Sequence, residues 1–198
     1  MRHTRGSFPE PASSRQPADD LRVRRSRAAL TNAFTELALE RGYREIGPGD
    51  VAERADVGRS TLYTHFSGMD DLLAQSLDLH LTTLAYCTLK PEMDPALLKV
   101  IQHFWDQRRI ARQILQDDMG LAMPRLLVSR LEAALVELRR SLELRSELPI
   151  PLLAVQLAAG QLAVLDAWLA GRASATPEQV SCLLRGTTYA AAVAALSR

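Results

Sequence analysis

Apolar residues recur along this chain every three or four positions, in blocks punctuated by glycine and proline, and no segment alternates strictly between apolar and polar. That period belongs to helices that bury one face, so the chain is predicted to be all-α. Leu30, Ala33, Phe34, Leu37 and Ala38 mark a first helix over about 21–41, with Asp19 or Asp20 as N-cap and Gly42-Tyr43 as its stop. Pro48, whose missing N–H costs nothing in a first turn, opens a short second helix with Val51, Ala52 and Ala55 inward. A break at Asp56-Val57-Gly58 precedes a third, about 59–65. Ser67-Gly68 precedes a fourth, which runs through Leu73, Leu77, Leu81 and Leu84 to about residue 88.

After Pro95 the pattern resumes. Leu97, Leu98, Ile101, Phe104 and Trp105 line a fifth helix, and Ile110, Ile114 and Leu115 a shorter sixth. Beyond Gly120 and Pro124, the stripe Leu127, Leu131, Leu135, Leu138 and Leu142 gives a seventh, expected to close at Pro149 and Pro151. Two apolar helices, about 151–170 and 177–197, are separated by Gly171 and restarted at Thr176-Pro177. Residues 1–18 differ: Pro9, Pro11 and Pro17 mixed with serine and arginine cannot bury enough apolar area to offset chain entropy, so a flexible arm is expected.

Composition narrows the class. With 198 residues, 47% hydrophobic and 24% charged, the chain suits one or two globular domains and excludes full disorder. The net charge of +1 hides an asymmetry: residues 1–30 hold seven arginines against Glu10, Asp19 and Asp20, so attraction to polyanions is concentrated at the N-terminus. Cys87 and Cys182 are too few for a disulfide framework, and residues 1–30 contain no apolar run that could act as a signal peptide. Both facts fit the cytoplasm. Ile150–Gly171 is long and nearly uncharged, but it is rich in alanine, interrupted by Gln156, Gln161 and Asp166, and has no basic flank. A buried helix is expected there, not a membrane span. No His, Asp and Glu set has metal-binding spacing, and no cofactor motif, phosphate loop or nucleophile motif is present, so no enzyme is expected. Asp117-Asp118 reads as a solvated helix end. A redox-responsive regulator using Cys87 and Cys182 is an alternative, although neither thiol has the basic neighbours that favour a thiolate.

The second and third helices, joined by a tight turn and braced by a longer helix, form a helix-turn-helix arrangement. In Arg59-Ser60-Thr61-Leu62-Tyr63-Thr64-His65-Phe66, Leu62 and Phe66 are four apart and anchor the segment. Arg59, Ser60, Thr61, Tyr63, Thr64 and His65 are left projecting, and these groups hydrogen-bond phosphates and major-groove base edges. Arg22, Arg24, Arg25 and Arg27, with Arg2, Arg5 and Arg15, stand where they could follow the DNA backbone. The competing reading is a helical adaptor whose third helix merely has a solvated face.

Residues 24–73, RRSRAALTNAFTELALERGYREIGPGDVAERADVGRSTLYTHFSGMDDLL, resemble the DNA-binding domain of the tetracycline repressor (TetR) family of transcriptional regulators. The elements ERGY, DVAERA and TLYxHF fall at that family's spacing. The resemblance implies a helix-turn-helix domain over 19–68 and a helical ligand-binding and dimerisation domain over 69–198. It implies DNA contacts by Arg59, Ser60, Thr61, Tyr63, Thr64 and His65, with Pro48, Gly49, Arg22, Arg24 and Arg25 also at the DNA. Gly47 stands where the family usually has Thr or Ser, Asp56 where it has Gly, and Met69 where it has Lys. Asp tolerates the left-handed turn. Gly47 and Met69 each remove a phosphate contact, so either the arginine-rich arm carries more of the electrostatic affinity than is usual for that family or the chain binds DNA more weakly.

The implied function is that of a ligand-responsive regulator, most simply a repressor. Tyr86, His103, Trp105, Arg109, Arg112, Met119 and Met123, with Met93, are the aromatic, soft and cationic groups expected around a small, largely apolar ligand. His80, three residues after Leu77 and four before Leu84, reads as a core or seam histidine. The last two helices are apolar on more than one face. Leu152, Val155, Ala159, Leu162, Ala163, Asp166 and Leu169, with Val180, Leu184, Thr187, Ala191 and Ala194, are expected to form a four-helix interface between two subunits. A two-fold homodimer implies a palindromic double-stranded DNA operator.

Overall fold

The computed structural model describes residues 17–41, 45–116 and 122–197, which form nine helices and no strand. α1 (Pro17–Arg41), α2 (Pro48–Arg54) and α3 (Arg59–His65) make an N-terminal bundle from which α4 (Met69–Cys87) leads away. α5 (Pro95–Asp106), α6 (Arg108–Gln116), α7 (Ala122–Ser141), α8 (Ile150–Leu169) and α9 (Pro177–Leu196) build the larger C-terminal unit. Residues 1–16 of the expected arm, with Arg2, Arg5 and Arg15, lie outside the described residues, as do Gly42-Tyr43, Asp117-Asp118, Met119 and Gly120.

Two boundaries differ from expectation. α1 begins at Pro17, inside the expected arm, because proline's fixed φ suits a first helical turn; Asp19 and Asp20 therefore stand within the helix and not at its cap. α7 stops at Ser141, eight residues before Pro149. Glu143 takes a left-handed φ of +51°, and the N–H groups of Leu144 and Glu143 donate back to the Arg139 and Arg140 carbonyls at 3.0 and 3.3 Å. That closure satisfies the terminal carbonyls without the glycine that usually announces it, and it leaves Leu142 exposed at the cap. The expected stops at Gly171 (φ +72°) and the Thr176 cap, which accepts from the Gln179 N–H, are both present.

The core falls into two clusters. Leu30, Phe34, Leu37, Val51, Leu62 and Phe66 fill the N-terminal one, together with Leu72 and Leu73 from the first turns of α4. Leu81 and Leu84, further along α4, belong to the C-terminal core, so one helix is shared by both and no linker separates them at residue 68. Leu77 of α4 and Ile114 of α6 pack against both clusters. In the C-terminal unit α7 lies along α4 and α8, α5 packs on α9, and α6 packs on α8. Arg130 of α7 donates to Asp78 of α4 through Nε at 2.8 Å.

By length and composition α8 could span a membrane, and it is the one such helix among the described residues. Its inner face is buried against protein and includes a polar side chain. Gln161 Nε2 donates to Thr88 Oγ1 and Thr188 Oγ1, at 3.0 and 3.2 Å, tying α8 to the end of α4 and to α9. Trp168 stacks on Trp105, centroids 4.8 Å apart, and its Nε1 donates to the Ala175 carbonyl.

Candidate DNA-binding interface and ligand cavity

The turn between α2 and α3 is built by Asp56. Its φ of +53° is the left-handed value anticipated for this position, and the Val57 and Asp56 N–H groups return to the Ala52 and Glu53 carbonyls at 3.0 and 3.1 Å. Gly58, in extended conformation, then starts α3. At the head of α2, Pro48 occupies the first turn and the Gly47 N–H donates to Asp50 Oδ2 at 2.8 Å. Val51 and Ala52 face inward as expected, and Arg54 is held by the carboxylates of Glu40 and Glu36 on α1.

α3 is pinned by Leu62, fully buried, and by Phe66 just beyond its end. Arg59, Ser60, Tyr63 and Thr64 are exposed, Tyr63 at 58%. The Arg59 guanidinium lies over Gly49, close enough that a Cβ there would collide with it, so the start of α2 sets where the arginine points. Thr61 is half-buried. His65 departs from expectation: it is half-buried, not projecting, and its Nε2 sits 2.7 Å from Ser26 Oγ on α1. Arg22, Arg24 and Arg25 are exposed on α1, within the helix expected over about 21–41. Arg27, grouped with them in sequence, is committed elsewhere, donating to Gln75 of α4 and lying 5.8 Å over the Phe66 ring. Met69 is half-buried and packs on the N-terminal core.

A largely apolar cavity of about 120 Å³ lies where the two cores meet. Its walls come from α4, α5, α6, α7 and α8, and also from Phe34, Thr35 and Ala38 of α1. Of the expected ligand residues, His103 and Met123 line it. Tyr86 and Trp105 pack into the C-terminal core, Trp105 between Trp168 and the Arg108 guanidinium, 5.3 Å over its ring. Arg109 and Arg112 border a separate surface cleft with Asp106, and Met93 is exposed in the loop before α5. His80, read as a seam residue, is in the cavity wall, stacked on His103 with centroids 5.0 Å apart and planes 13° apart. Nothing in the local sequence pattern signals this pairing, since the partner ring comes from another helix. Burial holds the His80 pKa below its ordinary value, and the neighbouring His103 pushes the same way; the Ser76 carbonyl opposes them more weakly.

On α8, Leu152, Val155, Ala159 and Ala163 form an exposed stripe, with Leu162 and Asp166 half-buried at its edge. Asp166 pairs with Arg172. Leu169 is buried. On α9, Thr187 and Ala194 are exposed and Ala191 is half-buried, whereas Val180 and Leu184 are buried in their own subunit. The outward face of α9 keeps Thr187 and Ala194 but takes Leu183 and Ala190 in place of Leu184 and Ala191, because α5 and α8 pack over the Val180–Leu184 side. Cys87 and Cys182 are not bonded to each other. Burial, with Asp94 beside it, pushes the Cys87 thiol up to about 11, the opposite of a redox-active cysteine.

No three His, Cys, Asp or Glu side chains among the described residues gather as metal ligands. What the geometry defines is an all-α protein with a helix-turn-helix unit braced by α1 and joined through α4 to a helical domain with a cavity, the architecture of a DNA-binding transcriptional regulator. Residues 30–75 match the model of the bacterial regulatory proteins of the tetR family. The whole chain shares the fold of its regulators. It is 25% identical to a TetR transcriptional regulator from Streptococcus agalactiae, over 86% of this chain and 97% of that one, with a TM-score of 0.53. A putative TetR-family regulator from Syntrophomonas wolfei aligns over 86% and 96% of the two chains at 16% identity and a TM-score of 0.56. RolR, in complex with its ligand resorcinol, aligns over 90% and 96% at 22% identity and a TM-score of 0.53. No curated protein matches the chain significantly.

Proposed function

We propose that this protein is a repressor that binds a palindromic operator as a homodimer and is released from it by a small, largely apolar molecule. It acts in the cytoplasm as a regulator and not as an enzyme. The observation that carries the reading is the position of the cavity. α1 packs directly on α2 and α3, and three of its side chains form part of the cavity wall, so an occupant bears on the same helix that braces the DNA-reading pair. Arg59, Ser60, Tyr63 and Thr64 read the DNA, Arg22, Arg24 and Arg25 reach phosphates, and Thr61, Pro48 and Gly49 line the approach. The exposed apolar stripes of α8 and α9 meet their copies in the partner, with Ala159, Gly160, Ala163, Gly186 and Ala190 allowing close approach.

A ligand that prefers the non-binding arrangement by about 1 to 3 kcal/mol changes operator affinity roughly 5- to 150-fold. The test is to select bound duplexes from a random pool and titrate the selected operator against full-length protein. A palindromic site is expected, with affinity lost in Tyr63→Ala and a log affinity against log salt slope reduced by about one unit per phosphate contact on deleting residues 1–16. Failure to select any duplex would refute the reading. A ligand that releases the operator must itself be weakened by operator to the same factor.

A further inference from the structure

The cavity's chemistry says what class of ligand it takes. Its volume, about 120 Å³, is that of a site for one ring, since an apolar cavity of about 150 Å³ admits benzene. Among the described residues that line it there is no Asp, Glu, Lys or Arg, and His80 and His103 are its only titratable groups. Two of the other polar lining groups are already committed: Ser76 Oγ donates to the Leu73 carbonyl at 2.8 Å and Thr35 Oγ1 to the Thr31 carbonyl at 2.9 Å. His80 Nδ1 is buried and makes no well-directed hydrogen bond within the protein. Phe104 completes a cluster of three rings, its centroid 5.7 Å from His80 and 6.4 Å from His103. Of the two lining rings His103 is exposed and His80 half-buried, so His103 is the more open to solvent.

We propose that this cavity binds a neutral single-ring phenol, its ring among the apolar side chains and its hydroxyl hydrogen-bonded to the stacked His80–His103 pair. The inference rests on the ligand-responsive reading above and specifies its ligand. A carboxylate buried here would have no permanently charged lining group to pair with, and burial and the stacked neighbour both oppose putting a proton on His80. A hydroxyl has no such penalty. It both donates and accepts, as neutral imidazole does, so it can satisfy His80 in either tautomer. A ring without a hydroxyl fits the space but offers the buried nitrogen nothing beyond the poorly directed approach of the Ser76 carbonyl.

Isothermal titration of full-length protein at pH 7.5 with phenol, toluene and benzoate decides the matter. Phenol is expected to bind about 3- to 10-fold more tightly than toluene, the worth of one net hydrogen bond, and benzoate more weakly than either. His80→Phe and, separately, His103→Leu should erase the preference for phenol over toluene while toluene still binds. The second variant alters an exposed residue, so it keeps the test open if the first fails to fold. Equal affinity for phenol and toluene, tighter binding of benzoate than phenol, absence of aromatic binding altogether, or a preference that survives in the folded variants would each overturn the proposal. The operator titration separates this from the repressor reading. Phenol that binds with His-dependent selectivity yet leaves operator affinity unchanged confirms the ligand class and refutes ligand-controlled release; another compound that releases operator while no aromatic probe binds refutes the ligand class alone.

Discussion

Ser26 Oγ of α1 and His65 Nε2 of α3 lie 2.7 Å apart, a side-chain bond between residues 39 positions distant that fastens the last turn of the recognition helix to its brace. The same α1, two to three turns further on, supplies Phe34, Thr35 and Ala38 to the cavity wall. Recognition helix, brace and cavity are therefore in continuous contact without any help from α4. Ser26→Ala should cost about 0.5 to 1.5 kcal/mol of stability, because the bond is only part-buried, and should reduce operator affinity several-fold by loosening α3. Thermal melts and operator titrations on the same samples check it. Unchanged operator affinity would mean that His65 is placed by Phe66 packing alone.

Gly49 and Arg59 make a second test of placement. A Cβ at position 49 would collide with the Arg59 guanidinium, the far end of a flexible side chain, so Gly49→Ala is expected to move the arginine and not the backbone. The melting temperature should then hardly change. Operator affinity should fall by about as much as in Arg59→Ala, and the double variant should be no worse than either single one, as expected for two changes acting on one contact.

Charge on the exposed stripe of α8 tests assembly. Ala159→Glu places a carboxylate where the proposed interface would bury it unpaired, at a cost of about 3 to 5 kcal/mol, and should yield monomers by sedimentation with operator affinity collapsed. Ala191 is a poorer site for this test because it packs against its own subunit's core, where a charge would unfold the chain instead. A wild-type protein that sediments as a monomer at micromolar concentration would refute the dimer.

Acid should destabilise the protein partly through His80. Its folded pKa is lowered by burial and by His103, so around and below the ordinary value of 6.5 the unfolded chain takes up the proton more readily than the folded one. Stability is fully present above that value and is lost as pH falls from about 6.5 toward the lower folded value. His80→Phe removes this contribution, so the melting temperature should decline less between pH 7.5 and 5.5 in the variant than in the wild type. Identical slopes would show that His80 takes up its proton as readily in the folded chain as in the unfolded one.

The all-α class and the limits of α2 and α3 could be read from the chain alone, and they rest on local physics: a 3.6-residue period and a proline in a first turn. The left-handed turn at Asp56 was implied by the resemblance, which has glycine there, and aspartate tolerates the positive φ. Local chemistry also marked Leu62 and Phe66 as anchors and Tyr63 as exposed, because four-residue spacing puts the first two on one side of the helix. It could not show that His65 faces Ser26, since position 65 looks polar and free until α1 is laid across it. The end of α7 was hidden for a different reason: a glutamate carries the left-handed turn, and glutamate gives no sign of it.

The cavity belongs to the tertiary structure. His80 and His103 are 23 positions apart on different helices, and neither has a neighbour that distinguishes it from a seam residue. Trp105 and the α6 arginines looked more like pocket chemistry yet pack elsewhere. Likewise, periodicity showed that α8 and α9 had more apolar surface than one subunit could cover, but which stripe of α9 remained outside was decided by α5 and α8 packing over Val180 and Leu184. A helical repeat determines which residues share a face. Only the neighbours that arrive from distant sequence determine which face is buried, which is left open, and where two imidazoles come to stack.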